Sequence, residues 1–570
     1  MILDNFWSGI DSREINKALK PEYLQILEPL LTERKSKTPL IDDRFEKSQI
    51  YKMIAIPKMC NQSFRKKIFS YLTENELKLI SKELKISKKD KKSIIDEILK
   101  TPWGLNKNSL KLAKILDIPE FMLNLSEYNN EKKGSAIVYP WFLKYKKFLD
   151  PVDKDKINEA FANRSPFKIF KNYQSIAHQE TLDKISGGFK RAMLNMPTGT
   201  GKTRTAVEIA SSYLSKNKNH SVVWIAHTKE LLQQASEEFF DVWENLGNRE
   251  LKIQEVYGGK GDKIKEESSF IATSFQSLNE KSISKIRKSN VGLIIIDEAH
   301  MCVADKWNKK IKELIDKTTG TRILGLTATP IREGVVGTNK LIDFFGRGNI
   351  IPLRFNSDKL LIDYLIDEGI MAKPKYDPIV YKNEEIGLNE KEVKKIEKEF
   401  SEFPKKIIEK ISRDGNRNII ITDKLREVLG DHEDTNQILF FGNSIEHSKM
   451  ISIWLLKNGY SSFHLDGDSD GRSRDAAIKA FRYGKIRVLC NYGVLSMGFD
   501  APKVDCLFIT RVTTSEVLHS QMIGRGLRGT KLGGTSSCKI IEMEDNIKNF
   551  SEKHKISFEN YISSWGDHEE

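Results

Sequence analysis

The stretch MPTGTGKTRTA, Met196 to Ala206, followed downstream by IIIDEAH, Ile294 to His300, decides the reading of this chain. Gly199 and Gly201 allow backbone N–H groups to converge on an anion. A helix beginning near Lys202 would turn the positive end of its dipole toward the same point. Lys202 would place an ammonium on the β- and γ-phosphates of a nucleotide, and Thr203 would offer a hydroxyl to Mg2+, which is the P-loop arrangement. Thr198, Thr200 and Arg204 complete the expected ATP-binding stretch. One departure is visible, since Met196 stands where the strict pattern has a glycine.

The second segment supplies what the first lacks. VGLIII, Val291 to Ile296, is a short apolar run rich in branched residues, as expected of a strand buried on both faces of a parallel sheet. Such a strand delivers Asp297 and Glu298 to its carboxyl end, where open α/β sheets bind ligands. Asp297 is suited to hold magnesium, and Glu298 to orient or deprotonate an attacking water. The fold class is therefore α/β, and the expected cofactors are ATP and Mg2+.

Further motifs follow in a fixed order. They are YQSIAHQ (Tyr173 to Gln179), IAHTKELLQQ (Ile225 to Gln234), ATSFQSL (Ala272 to Leu278) and LTATP (Leu326 to Pro330). Then come ILFFGNSIEH (Ile438 to His447), VLSMGFDAPKVD (Val494 to Asp505) and QMIGRGLRG (Gln521 to Gly529). Over roughly residues 170 to 545 the chain resembles a superfamily 2 helicase or translocase of the DEAD/DEAH-box type. TAT in the third motif, GFDAP in the fifth and IGRGLRG in the sixth resemble the group of XPB-like helicases and restriction-enzyme motor subunits.

The resemblance implies two tandem RecA-like domains, parallel sheets flanked by helices, at about 166–350 and 351–545, with a helical linker at 384–433. It implies that a glutamine of the first motif reads adenine: Gln179 has the better spacing to the P-loop, while Gln174 follows the tyrosine as in many relatives. Gly498 and Asp500 would also face the nucleotide. His300, Thr327 and Thr329 would couple the ATP site to the nucleic-acid path, and His227, Thr228, Ser274, Gln276 and Thr513 would touch phosphates and sugars. Gln521, Arg525 and Arg528 would reach the ATP from the second lobe, the two arginines lying three apart on one face of a helix. An arginine so inserted stabilises the charge of phosphoryl transfer, so the site would be complete only with the lobes closed.

Composition fits a polyanionic partner: 93 Lys and Arg against 79 Asp and Glu give a net charge of +14. The five cysteines, Cys60, Cys302, Cys490, Cys506 and Cys538, are scattered with no CxxC pair, which points to a reducing cytoplasm rather than zinc or disulfides. No stretch is apolar enough to span a bilayer, and the start, MILDNFWSGIDSRE, does not read as a secretory signal.

Residues 1–165 match none of the motor motifs and are expected to form a mainly α-helical accessory domain, a candidate site for a protein partner. Within them, 72–100 resembles the two-helix SAP module, which in other proteins binds duplex DNA. Lys88, Lys89, Lys91 and Lys92, extended by Arg65, Lys66 and Lys67, would be its phosphate contacts; the alternative is an ordinary helical hairpin with basic loops. Residues 546–570 are expected to form a polar tail that frays. The leading expectation is an ATP-dependent DNA helicase acting on single-stranded, duplex or forked DNA in repair or antiviral defence, with 3′ to 5′ polarity by resemblance. A duplex translocase partnering a nuclease, a nucleic-acid sensor with a switch-like ATPase and an RNA helicase are the alternatives.

Overall fold

The structure, a computed structural model, describes residues 62–88, 90–100, 107–116, 136–138, 170–257, 264–302, 305–315, 320–328, 334–355, 360–399, 402–430, 437–467, 469, 471–493, 503–548 and 550, and single positions 23, 25, 26, 556 and 558. Two sheets organise it. The first contains β1 (Ala136–Val138), β2 (Arg191–Asn195), β3 (Ser221–Ala226), β4 (Leu251–Val256), β5 (Ser269–Ser274), β6 (Val291–Ile296), β7 (Arg322–Thr327) and β8 (Ile350–Pro352), in the order β1-β4-β5-β3-β6-β7-β2-β8. Apart from the antiparallel β1–β4 edge, neighbouring strands are parallel. The second contains β9 (Lys373–Gly387), β10 (Ile438–Phe441), β11 (Ser462–Leu465), β12 (Val488–Asn491), β13 (Cys506–Ile509) and β14 (Ser537–Lys548), all parallel, in the order β11-β12-β10-β13-β14-β9. Parallel strands need crossover helices on both faces, so their side chains face protein on either side. Every residue of β3, β5, β6, β10, β12 and β13 is buried. These are two tandem RecA-like units.

The sheets depart from the expected boundaries in three places. Ala136–Val138, within the segment expected to be helical, pairs with Leu251–Ile253 and extends the first lobe's sheet. The stretch expected as a helical linker begins as strand: β9 runs to Gly387 before helices Glu390–Glu399, Lys405–Arg413 and Gly415–Gly430. Two of those helices and the strand ends share a small core of Ile386, Leu388, Ile396, Phe403, Ile407, Ile411 and Ile547. In the expected tail, β14 continues to Lys548, Phe550 meets Phe403 edge-on at 5.0 Å, and Phe558 stacks on Tyr376 at 5.1 Å. These aromatics give the tail something apolar to bury.

Within 72–100, helix Glu74–Leu84 starts at a capping box between Thr73 and Glu76 and stops at Lys85 in left-handed backbone. Helix Lys91–Lys100 packs its Ile94, Ile95, Ile98 and Leu99 inward. Lys88, Lys91 and Lys92 are exposed, and Lys91 Nζ also donates to Leu72 O at 2.7 Å. Arg65 is buried, so it leaves the proposed basic patch, while Lys66 and Lys67 stay exposed; Lys89 lies outside the described residues. Cys302, Cys490, Cys506 and Cys538 are buried thiols outside any disulfide. No helix among the described residues is long and apolar enough to cross a membrane.

Candidate functional site

The loop 196–201 leaves β2 and enters helix Lys202–Lys216. Met196 N donates to Thr327 O at the end of β7 (3.0 Å), tying the loop's entry to the strand that ends in LTATP. Gly199 and Gly201 have φ of +85° and +86°, which favour glycine, and Gly201 is the helix N-cap. A Cβ at Gly201 would also meet Gln174 Nε2 at 2.3 Å. The loop is held from behind as well: Tyr173 OH donates to Thr200 O at 2.8 Å, Gln174 Nε2 donates to the same oxygen at 3.4 Å, and Thr200 Oγ1 donates to Pro197 O at 2.7 Å. The result is a tight glycine turn that ends at the N-terminus of helix Lys202–Lys216, with Lys202 and Thr203 at the helix start, which fits a polyphosphate.

At the end of β6, Asp297 N donates to Ile225 O of the neighbouring strand (2.8 Å), and Glu298 takes left-handed backbone at φ +52°, uncommon for a residue with a Cβ. That kink accompanies a Glu298 carboxyl that faces Lys202 of the P-loop, while Asp297 Oδ1 accepts from Glu298 N at 3.1 Å. Glu298 Oε1 lies 3.9 Å from Lys202 Nζ, and Oε2 lies 3.4 Å from His300 Nδ1. Burial, with the neighbouring Glu298 charge adding to it, pushes the Asp297 carboxyl up to about 6 against the pull of Lys202. Burial works on Glu298 too, but Lys202, His300 and Arg525 and a hydrogen bond with Gln521 outweigh it and hold the carboxyl below its usual range.

Two of those groups come from the other sheet. Helix Glu516–Ile523 carries Gln521, and the turn after it carries Arg525. A Cβ on Gly524 would come within 2.4 Å of Thr198 Cβ, so the second lobe's turn lies directly on the P-loop. The two arginines are not on a helix. Gly524, Gly526 and Gly529 end it, and the chain is instead caught by Ala372 N donating to Leu527 O (3.1 Å) and Gly529 N donating to Ile370 O (2.8 Å), with Met371 and Arg528 bridged antiparallel.

Other expected site residues fall elsewhere. Gln179 is exposed and donates to Asp183 Oδ1 on its own helix (2.8 Å), so Gln174 is the glutamine that reaches the loop. Arg204 turns sideways into carboxylates of its own and the neighbouring helix, away from the phosphate side. Thr228 and Ser274 cap the turns after β3 and β5, accepting from Leu231 N and Ser277 N. His227 and exposed Gln276 meet there at 3.4 Å, so these four sit together at the carboxyl ends of two adjacent strands. Thr513 donates to Glu402 at 2.9 Å in the second lobe. Thr327 is buried at the end of β7. Thr329, Gly498 and Asp500 lie outside the described residues.

Among the described residues no group of three or more His, Cys, Asp or Glu is arranged to hold a metal alone. The Thr203 hydroxyl and Asp297 carboxylate offer the hard oxygen donors that Mg2+ takes, with phosphates and water completing its shell. The site therefore fits a metallated triphosphate.

Comparison with known proteins gives matching domains. The family described as "Type III restriction enzyme, res subunit" matches residues 168–332, and "Helicase conserved C-terminal domain" matches residues 420–530. The chain is 26% identical over 378 residues to IRC3 of Saccharomyces cerevisiae, whose name places it among ATP-dependent helicases, covering 63% of this chain and 49% of that one. It is 24% identical over 438 residues to the ATP-dependent DNA helicase uvsW of Enterobacteria phage T4, covering 74% and 81%. It is 25% identical over 419 residues to the type I restriction enzyme EcoKI endonuclease subunit of Escherichia coli, covering 65% and 34%. The chain thus spans about half the length of IRC3 and a third of the EcoKI subunit.

Proposed function

Proceeding from a chain that carries the paired motor domains of the superfamily 2 helicases, of restriction-enzyme type, we propose that it is an ATP-dependent DNA helicase. Hydrolysis at the P-loop would drive movement along DNA and strand separation. The observation that carries this reading is the joint between the lobes: Gly524 rests on Thr198, while Gln521 and Arg525 stand beside Glu298.

Lys202 and the loop amides bind the β- and γ-phosphates. Glu298, kept ionised by the cations around it, accepts a proton from the water that attacks the γ-phosphorus, and Gln521 orients that water. Arg525 meets the charge that develops on the γ-phosphate oxygens, and Arg528, three residues further along the same turn, is the second candidate for that role. Magnesium, held by Thr203 and Asp297, would neutralise phosphate charge. Gln174 is the better candidate than Gln179 for sensing the base. Loss of the γ-phosphate removes the charge that Arg525 meets, so the lobes part and close again on fresh ATP, stepping the strand contacts at His227, Thr228, Ser274, Gln276 and Thr513. The DNA assignment is supported by the net charge of +14 and by a relative named a DNA helicase.

The test is the ATPase rate of the full chain with no polymer, single-stranded, duplex and forked DNA, and RNA, together with strand and triplex displacement. Stimulation by DNA with strand displacement is expected. Triplex displacement alone would make it a duplex translocase, stimulation by RNA alone would reassign the substrate, and a rate indifferent to every polymer would remove the motor reading.

A further inference from the structure

Arg204 follows the two residues proposed to hold phosphate and metal, yet its guanidinium points along neither. Its Nε contacts Glu208 Oε1 at 2.8 Å on the same helix, and its Nη1 contacts Glu238 Oε1 at 2.9 Å and Asp241 Oδ2 at 3.3 Å on helix Lys229–Leu246. The Arg204 and Glu208 side chains are about nine-tenths buried, at 10% and 9% exposure. One helix therefore begins at the P-loop and the other at Thr228, and this fork joins them.

Adhesion does not account for the fork. The same helices bury Ala206, Val207, Ala210, Leu214, Phe239 and Trp243, and a buried ion pair adds little net stability over apolar packing. What it adds is register. Apolar surfaces allow small slides, whereas a planar guanidinium held at two edges fixes one helix against the other. Glu238 and Asp241 lie ten and thirteen residues beyond Thr228, about 15–20 Å along a stiff helix. A phosphate drawn to the capped N-terminus at Thr228 would shift that rod, and the fork would carry the shift to the turn holding Lys202 and Thr203.

We propose that Arg204 is a positioning residue that couples polymer binding at the Thr228 end of one helix to the phosphate end of the other. This rests on the motor reading above. Its role is to make ATP turnover responsive to the polymer, and it touches neither ligand.

The test compares the full chain with two variants, Glu238→Gln/Asp241→Asn and Arg204→Lys, using forked DNA as the probe. Polymer-free ATPase, DNA-saturated ATPase, fork Kd and Tm are measured. For Glu238→Gln/Asp241→Asn, polymer-free rate, Kd and Tm are expected to stay within about twofold or a few degrees of the unaltered chain while the stimulation ratio falls about tenfold, within the usual span of coupling between sites. Arg204→Lys keeps the charge but loses the fork, and its ratio is expected to fall as well. An unchanged ratio in both variants overturns the proposal, as does a parallel loss of Tm and both rates, which is what a merely structural brace would give. If the unaltered chain itself shows no stimulation, the motor reading fails and takes this proposal with it; if only the variants keep their ratio, the proposal falls alone.

Discussion

In the first lobe, the groups facing the proposed nucleotide site are set by bent backbone: Gly199, Gly201 and Glu298 all have positive φ, and Lys202 and Glu298 lie 3.9 Å apart within that lobe. In the second lobe, Gln521 lies in the last turn of an ordinary helix, and Arg525 and Arg528 follow in a turn pinned by backbone bonds to Ile370 and Ala372. The helix is braced from behind by the buried pair His519 and Glu542, 2.5 Å apart, with Tyr376 OH also donating to Glu542. One half is shaped in place and the other is carried as a tied piece. A domain movement can then present or withdraw Gln521 and Arg525 together while leaving the P-loop intact.

This contrast can be broken at several points. The largest effect is expected from Arg525→Ala, which should lower kcat about 10³-fold with ATP affinity within a few-fold, because its contact belongs to the closed state. A higher KM with kcat preserved would mean that the second lobe only binds. Within the first lobe, Glu298→Gln should lower turnover about 10²-fold while ATP and DNA still bind, as read by single-turnover hydrolysis beside filter binding. Normal hydrolysis would assign the base elsewhere. Gly524→Val would drive a side chain into Thr198, where even a Cβ has 2.4 Å. Turnover is expected to fall about tenfold or more through misplacement of the lobes, with Tm retained.

His447, buried in the second lobe, sharpens the contrast in stability. Burial, aided by the Arg417 charge, takes its imidazole down to about 3, and its Nδ1 accepts from Asn443 N. The unfolded chain binds the proton more readily, so this stabilisation is present above about pH 6.5 and is lost as pH falls toward 3, by up to about 1.4 kcal/mol per pH unit. Denaturant melts at pH 7 and pH 5 should show the loss, and His447→Leu should flatten it. The smallest effect separates the two glutamines: Gln174→Ala should raise the ATP KM about fivefold, the scale of one hydrogen bond, and Gln179→Ala should leave it alone.

The phosphate loop and the acidic pair were legible because their chemistry is local: glycines license positive φ, and an apolar run ending in two acids reads as a buried strand. The glutamine was not, since Gln174 and Gln179 share a helix but differ by about 140° around it, and spacing along the chain does not say which side meets the loop. Arg204 misled for a related reason. Beside a phosphate loop a guanidinium reads as an anion ligand, while Glu238 and Asp241 arrive from a later helix that only the folded chain brings near. The end of the helix before Arg525 was available in the sequence, in the three glycines of GRGLRG that argue against continuation. The left-handed turn at Glu298 carried no such mark, because a residue with a Cβ takes that shape only when its surroundings impose it.

The short β1 strand alters what can safely be cut from this protein. Ala136–Val138 covers the outer edge of β4. A chain shortened to begin near residue 166 would leave the backbone N–H and C=O groups of Leu251 to Ile253 without that neighbour, offering them to any other strand in solution. Trimming to the two motor domains would then replace a three-residue edge strand with the six-residue edge of β4, a longer template for self-association, and the short edge would be kept by starting the shortened chain ahead of Ala136.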